Sequence, residues 1–185
     1  MDENFERAWK EADGQGVPEA LERDEGELLW QTAVRLPRRA RIVEIGCECG
    51  RSSVLFAHAA KLRDLRLTHV DPWNDEPVAI RNAASWMMAM RRVNHPFTLH
   101  CMRTDQLQER AMLGGFDLVY VDGDHSREGV GVDCDVLLPR AQKYVAFHDY
   151  GRQKYPATPE IDKRMRTPAY RFVAQAGTMI VWERA

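Results

Sequence analysis

Apolar positions along the chain fall into two alternating patterns. Short continuous apolar runs occur at residues 40–46 (ARIVEIG), 65–71 (LRLTHVD), 97–103 (FTLHCMR), 116–123 (FDLVYVDG) and 144–150 (YVAFHDY). Each has the length and β-branched content of a strand buried on both faces. Between them lie stretches with helical spacing at 52–64, 77–93, 105–113 and 127–140, the last despite two glycines. Ser52 or Ser53 is placed to cap the first of these. An earlier helix carries Leu28, Leu29, Ala33, Val34 and Leu36, opens on Asp24 with Glu27 as a capping pattern, and stops before Pro37. After residue 150 come a polar connection, a short helix from Pro159, and two strands over 169–184 around a turn at Ala176-Gly177.

Strands alternating with helices of this length predict an α/β fold. The expected form is a Rossmann-like, doubly wound, mostly parallel sheet with helices on both faces and a C-terminal antiparallel hairpin. The first 23 residues are polar, contain Gly14, Gly16 and Pro18, and read as a loose or partly helical arm. The domain proper is expected over residues 24–185. A chain of 185 residues buries about 70% of its unfolded surface, so a sizeable core is expected.

Charge and cysteine content narrow the partners. A net charge of −2 gives no global attraction for nucleic acid or an anionic membrane. The N-terminus lacks an apolar segment of the signal type, and no run approaches the roughly 18 apolar residues of a membrane span. Cys47 and Cys49 form C-x-C, a poor spacing for a disulfide, and no second cysteine or histidine pair completes a zinc motif. Reduced thiols and a cytoplasmic location are expected. The partner expected is a small-molecule substrate, with no nucleic acid and no membrane; self-association into a homo-oligomer is compatible with the chain.

Two groups of residues carry candidate chemistry, and both fall at the C-terminal ends of predicted strands, where such sheets bind ligands. In VEIGCECGRSS (43–53), Gly46 and Gly50 let the backbone bend sharply and approach a ligand, and the next helix begins there. Asp71, at the end of the second strand, can accept hydrogen bonds from both hydroxyls of a ribose. The loop is G-x-x-x-G, not the dinucleotide pattern G-x-G-x-x-G, and Glu44 beside it would repel a pyrophosphate. An acidic residue there suits a ligand bearing an ammonium group, such as S-adenosylmethionine. In VYVDGDHSREG (119–129), Asp122 ends the fourth strand and His125 follows three residues on, while Asp149 ends the fifth. Two carboxylates on adjacent strand ends can share a hard divalent cation, magnesium better than zinc. An imidazole titrating near neutrality can take a hydroxyl proton. Asp124 is placed to cap the helix near Ser126.

Taken together, ALERDEGELLW, VEIGCECGRSS, HVDPW, FDLVYVDGDHSREGV and FHDY resemble the class I S-adenosylmethionine-dependent methyltransferases. Within them they resemble the branch that includes the macrocin and mycinamicin sugar O-methyltransferases and the cephalosporin-hydroxylase-like proteins. The resemblance covers about residues 17–150. It implies a methyl transfer to a hydroxyl on a small molecule, a sugar or natural product. It also implies that Glu44, Gly46 and Gly50 line the methionine part of the cofactor, that Asp71 holds the ribose, and that Thr104 and Asp105 lie by the adenine. Asp122 counts both as a cofactor-binding residue and, with Asp149, as a metal ligand; His125 is the general base. The related enzymes use a third acidic ligand upstream, for which Asp75 and Glu76 qualify by position. The alternatives left open are a metal-independent methyltransferase acting on another nucleophile such as nitrogen, a non-catalytic S-adenosylmethionine-binding protein, and a nicotinamide oxidoreductase.

Other features have plainer readings beside functional ones. Trp86, Met87, Met88 and Met90 form a helix face that is core or a substrate wall. Trp73 edges the adenine or packs a loop. Residues 154–166 are a solvated connection or a mobile lid. His58, His69, His95 and His100 show no partner spacing and read as structural, and His148 has no clear role.

Overall fold

The structure, a computed structural model, describes residues 2–14, 21–108 and 114–185. Seven strands form one sheet: β1 (Arg41–Ile45), β2 (Arg66–Val70), β3 (Phe97–His100), β4 (Phe116–Val121), β5 (Ala141–Phe147), β6 (Tyr170–Ala176) and β7 (Met179–Arg184). Their order is β3-β2-β1-β4-β5-β7-β6. The first five are parallel, and β7 runs antiparallel between β5 and β6. The chain thus moves outward from β1 in one direction and then from β4 in the other. A crevice opens between β1 and β4, where Ile45 pairs with Val121.

Six α-helices cover the sheet among the described residues: α1 (Glu3–Asp13), α2 (Arg23–Val34), α3 (Arg51–Arg63), α4 (Pro77–Val93), α5 (Arg127–Leu137) and α6 (Thr158–Met165). On one face, α1 to α4 pack around Trp30, Phe56, Trp86 and Tyr120. On the other, α5 and α6 pack on Phe116, Val119, Val145 and Phe147. Alternation along β1 divides its side chains between these layers. Ile42 joins the first core, while Val43 and Ile45 join the second. None of the described helices is long and apolar enough to cross a membrane.

Several element ends differ from the sequence expectation, each for a local reason. The N-terminal segment holds α1, capped by Asp2, with Phe5, Ala8 and Ala12 buried; Asp2 also accepts from Trp30 Nε1 at 2.9 Å. It is therefore packed against the core and not loose. Helix α2 is opened by a reciprocal box of Glu22 and Glu25, ahead of the expected Asp24 and Glu27. Helix α3 starts from Gly50, whose φ of 102° is left-handed, so neither Ser52 nor Ser53 is its cap. Ser126, not Asp124, caps α5 by accepting from Gly129 N; Asp124 accepts from Ser126 N just before it. Helix α5 ends at Leu137 and continues as a 3₁₀ turn, Leu138–Arg140. The helix expected over 105–113 begins as a 3₁₀ turn, Thr104–Gln108, and its remainder lies outside the described residues. The hairpin turn falls at Gly177-Thr178.

The connection at 154–166 is neither a solvated loop nor a free lid over most of its length. Helix α6 docks Ile161 and Met165 into the second core. Burial of two such side chains stabilises the docked state by roughly 3–6 kcal/mol before the ordering entropy is counted. Trp86 and Met90 are core on α4, whereas Met88 is 53% exposed, so the Met-rich face forms no single wall.

Candidate active site

The crevice between β1 and β4 widens into a cavity of about 510 Å³. One wall is the turn from Gly46 to Gly50, which lines it together with Asp71. The segment from Asp122 to His125 also lines it, as do Thr104, Asp105 and Asp133. Gly46 has φ 81°, and a Cβ on it would sit 2.0 Å from the carbonyl oxygen of Asp122. The two strand ends therefore touch backbone to backbone, which only glycine allows. Asp71 braces the turn from below. Its Oδ2 accepts from Cys47 N at 2.8 Å and Glu48 N at 2.9 Å, and its Oδ1 accepts from Trp73 N. Trp73 packs the same loop by donating from Nε1 to Glu48 O.

The cavity is electronegative. Glu48, Asp71, Glu76, Asp105, Asp122, Asp124 and Asp133 line it, against Arg51 and Arg103. Burial, then repulsion from Asp122 and Asp71, raises the Glu48 carboxyl. Burial lifts Asp133 to about 6, although Thr104 hydrogen-bonds to it; Asp133 Oδ2 has no hydrogen-bond partner. A cation entering here relieves repulsion among these carboxylates.

Glu44 lies elsewhere. Alternation along β1 turns it onto the sheet face beneath α3, where it is completely buried. Ser52 and Ser53 donate their hydroxyls to its two oxygens, and His69 Nδ1 lies 2.6 Å from Oε2. Trp86 Nε1 donates to Ser53 Oγ, extending the cluster into α4. The expectation that Glu44 lines the cofactor cavity is thus corrected. Its carboxylate fixes the first turn of α3, whose residues Gly50, Arg51 and Ser52 do line the cavity.

The second group is assembled around His125, which is 37% exposed at its side chain and lines the cavity. Its Nδ1 lies 3.0 Å from Asp149 Oδ2, which leaves Nε2 for another partner. Tyr155 stacks on its ring at 4.3 Å. The Asp149 contact raises the imidazole pKa above its usual value, against the opposing effect of burial. Asp149 itself is buried, with φ 58°, immediately beyond β5. Burial alone would raise its carboxyl; the contacts with His125 and His148 instead hold it well below the usual carboxylate range. Arg152 Nε adds a charge contact at 3.0 Å.

His148, which the sequence left without a role, is the hub. Its Nε2 is 3.0 Å from Glu25 Oε2, and its Nδ1 is 3.2 Å from Asp122 Oδ1 and 3.6 Å from Asp149 Oδ1. Burial disfavours its charged form, but the Asp122, Asp149 and Glu25 carboxylates outweigh that and raise its pKa strongly. Glu25 reaches this point from α2. Burial would raise its carboxyl, yet hydrogen bonds from His148 and from the Glu22 and Thr178 backbone N–H groups lower it. Glu25 carried one sequence signal: it falls on the mostly apolar buried stripe of α2 with Leu29, Thr32 and Ala33.

Magnesium does not fit the pair Asp122 and Asp149. Donor atoms of Asp122, His148 and Asp149 lie within 4.8 Å of one another. Asp122 Oδ2, however, accepts from Tyr120 OH at 2.9 Å, and its Oδ1 faces His148. Both Asp149 oxygens face His125, His148 or Arg152. Magnesium requires near-octahedral oxygen ligation, and here it would meet the His148 imidazole and an Asp122 carboxylate hydrogen-bonded through both oxygens; Asp149 Oδ1 has no hydrogen-bond partner but lies 3.0 Å from Arg152 Nε. Asp75 and Glu76 are exposed and do not join this group.

Comparison with known proteins bears on the whole architecture. A family model described as a methyltransferase domain matches residues 43–150. No curated protein matches the chain by sequence. Among solved structures, the SAH-bound methyltransferase PaMTH1 of Podospora anserina is similar, with TM-score 0.70 and 16% identity, over 100% of this chain and 88% of that one. An O-methyltransferase from Bacillus cereus in complex with SAH is similar at TM-score 0.70 and 15% identity, over 100% and 92% of the two chains. The O-methyltransferase TomG from Streptomyces achromogenes, involved in tomaymycin synthesis and solved with SAM, gives TM-score 0.66 and 17% identity, over 100% and 90%. At these identities the likeness is one of fold.

Proposed function

Since the chain belongs to the methyltransferase domain family, we propose that it transfers a methyl group from S-adenosylmethionine to a hydroxyl oxygen of a small molecule, such as a sugar or natural product. The observation that carries this reading is the electronegative cavity at the switch between β1 and β4, with His125 on its wall and oriented by Asp149. Such a cavity favours a ligand with a sulfonium and an ammonium group over a pyrophosphate. The first turn of α3 offers backbone N–H groups suited to the methionine carboxylate. Asp71 braces the loop and keeps lone pairs for ribose hydroxyls, and Thr104 and Asp105 stand where the adenine would lie.

In the proposed reaction the substrate hydroxyl donates to His125 Nε2. The oxygen attacks the sulfonium methyl in line; the O–C bond forms as the C–S bond breaks, and the sulfonium becomes a neutral sulfide. The hydroxyl proton ends on His125, and Asp149 stabilises the imidazolium through the contact at Nδ1. The protein contributes positioning, which supplies much of the rate in such transfers, and removal of the proton. No step is routed through a metal.

Titration calorimetry with S-adenosylmethionine, S-adenosylhomocysteine and a nicotinamide dinucleotide tests the cofactor. Binding of the first two and not the third is expected. Binding of the dinucleotide alone would end this reading. Methyl-labelled cofactor with a panel of hydroxylated acceptors then tests the nucleophile; label that goes only to nitrogen would refute O-methylation.

A further inference from the structure

The turn between β1 and α3 holds the backbone of Glu48 at both ends. Its N–H donates to Asp71 Oδ2 at 2.9 Å, and its carbonyl accepts from Trp73 Nε1 at 2.9 Å. Its φ of 46° is left-handed, which is uncommon for a residue with a Cβ. The pose thus depends on these partners, and it puts the side chain on the wall of the cavity. Most other carboxylates there are already engaged. Asp71 accepts from the loop N–H groups, Asp105 from Gln106 N, Asp122 from Tyr120 OH, Asp124 from Ser126 N and Asp133 from Thr104. Among the described residues, the Glu48 carboxylate accepts no hydrogen bond and joins no ion pair. The charged groups that act on it are Asp122 and Asp71, which repel it, and His125, which attracts it. It therefore stands between Asp71 at the end of β2 and the Asp122–His125 segment beyond β4.

In S-adenosylmethionine the sulfur is bonded to C5′ of the ribose and carries the methyl group to be transferred. With the ribose at Asp71 and the attacking oxygen at His125, the sulfur falls between them, on the side where Glu48 stands. We propose that the Glu48 carboxylate faces the sulfonium and is the residue by which the site distinguishes the charged cofactor from its neutral product. The inference rests on the proposed function for the places of the ribose and the substrate hydroxyl. As the O–C bond forms and the C–S bond breaks, the sulfonium charge is lost, and the attraction to Glu48 goes with it. S-adenosylhomocysteine is therefore held more weakly than S-adenosylmethionine. The attraction is strongest before methyl transfer and fades during it, so Glu48 favours cofactor loading and product release and not the chemical step.

Calorimetry on the full chain at mildly alkaline pH is the test. Three ligands are compared: S-adenosylmethionine, S-adenosylhomocysteine, and an analogue with an amine-bearing carbon in place of the methylsulfonium. The wild type is expected to bind the two cationic ligands more tightly than S-adenosylhomocysteine. Glu48→Gln should shrink that preference by at least about fivefold and leave the affinity for S-adenosylhomocysteine little changed. A smaller change overturns the proposal, as does a wild type that lacks the preference. The neutral ligand also reports folding, because a misfolded variant loses it together with the cationic ones. In that case Glu48→Asn, whose side chain tolerates a left-handed backbone, is judged by the same criterion. A wild type that binds S-adenosylhomocysteine without a Glu48-dependent preference removes Glu48 from the sulfonium and leaves the methyltransferase reading standing. A wild type that binds none of the three ligands refutes that reading, and the role of Glu48 with it.

Discussion

Replacing Asp133 with Asn should stabilise this protein at alkaline pH and not at acid pH. Asp133 is 4% exposed on α5, and its Oδ2 has no hydrogen-bond partner. Burial raises its carboxyl from the ordinary 3.8 to about 6; the Thr104 hydrogen bond opposes the shift and repulsion from Asp124 adds to it. With the folded pKa above the unfolded one, the favourable contribution is fully present below 3.8 and is lost as pH rises through about 6. A difference of about two pKa units corresponds to about 3 kcal/mol, the cost of holding the charged carboxylate in this wall above pH 7. Asn keeps the shape and an acceptor for Thr104 but carries no charge. Urea unfolding at pH 4, 6 and 8 should therefore show Asp133→Asn and wild type nearly equal at pH 4. At pH 8 the variant should be the more stable by about 1–3 kcal/mol, with unchanged slope. Equal offsets at all three pH values would refute the reasoning, as would a wild type that is the more stable at pH 8.

Three further outcomes are expected. Glu44→Gln weakens a buried hydrogen-bonded cluster and should cost about 2–4 kcal/mol in denaturant unfolding while leaving the S-adenosylhomocysteine affinity of the folded protein nearly unchanged; a large affinity loss with wild-type stability would return Glu44 to the cavity. Gly46→Ala forces a Cβ to 2.0 Å from the Asp122 carbonyl at a left-handed φ, and thermal melting should show a loss of at least about 2 kcal/mol. His125→Ala should lower kcat by roughly 10²–10⁴ with cofactor affinity retained. Asp149 raises the His125 pKa and the base must be neutral, so the wild-type rate should fall with decreasing pH through a midpoint above 6.5. That midpoint should drop in Asp149→Asn, and an unchanged midpoint would exclude His125 as the titrating base.

Much of the architecture was legible because each strand is a bounded apolar run and each helix carries its own punctuation. Helix α4 illustrates this: Pro77 stands at its first turn and Asn94 takes the left-handed cap, so its ends match the sequence pattern. The adjacency of Asp122 and Asp149 also followed, since β4 and β5 are neighbours. The direction of Glu44 did not follow, because a side chain one residue before a strand end points to a sheet face or toward the loop depending on where pairing stops. Here pairing continues to Ile45, which commits Glu44 to the face under α3. The hub at His148 was beyond reach for a different reason. Its partners Glu25 and Asp122 are 123 and 26 residues away, and spacing in sequence says nothing about such meetings.

The clasp of Thr178 on Glu25 bears on how the chain matures. It joins residues 153 apart, and the Glu25 contact with His148 joins residues 123 apart. Contacts of that span carry a large loop-closure cost. A chain emerging from synthesis has Glu25 long before it has the hairpin that satisfies it. The hydrogen-bonded group around His148 is therefore incomplete until the last strands have docked, and its completion reports that the whole sheet has closed.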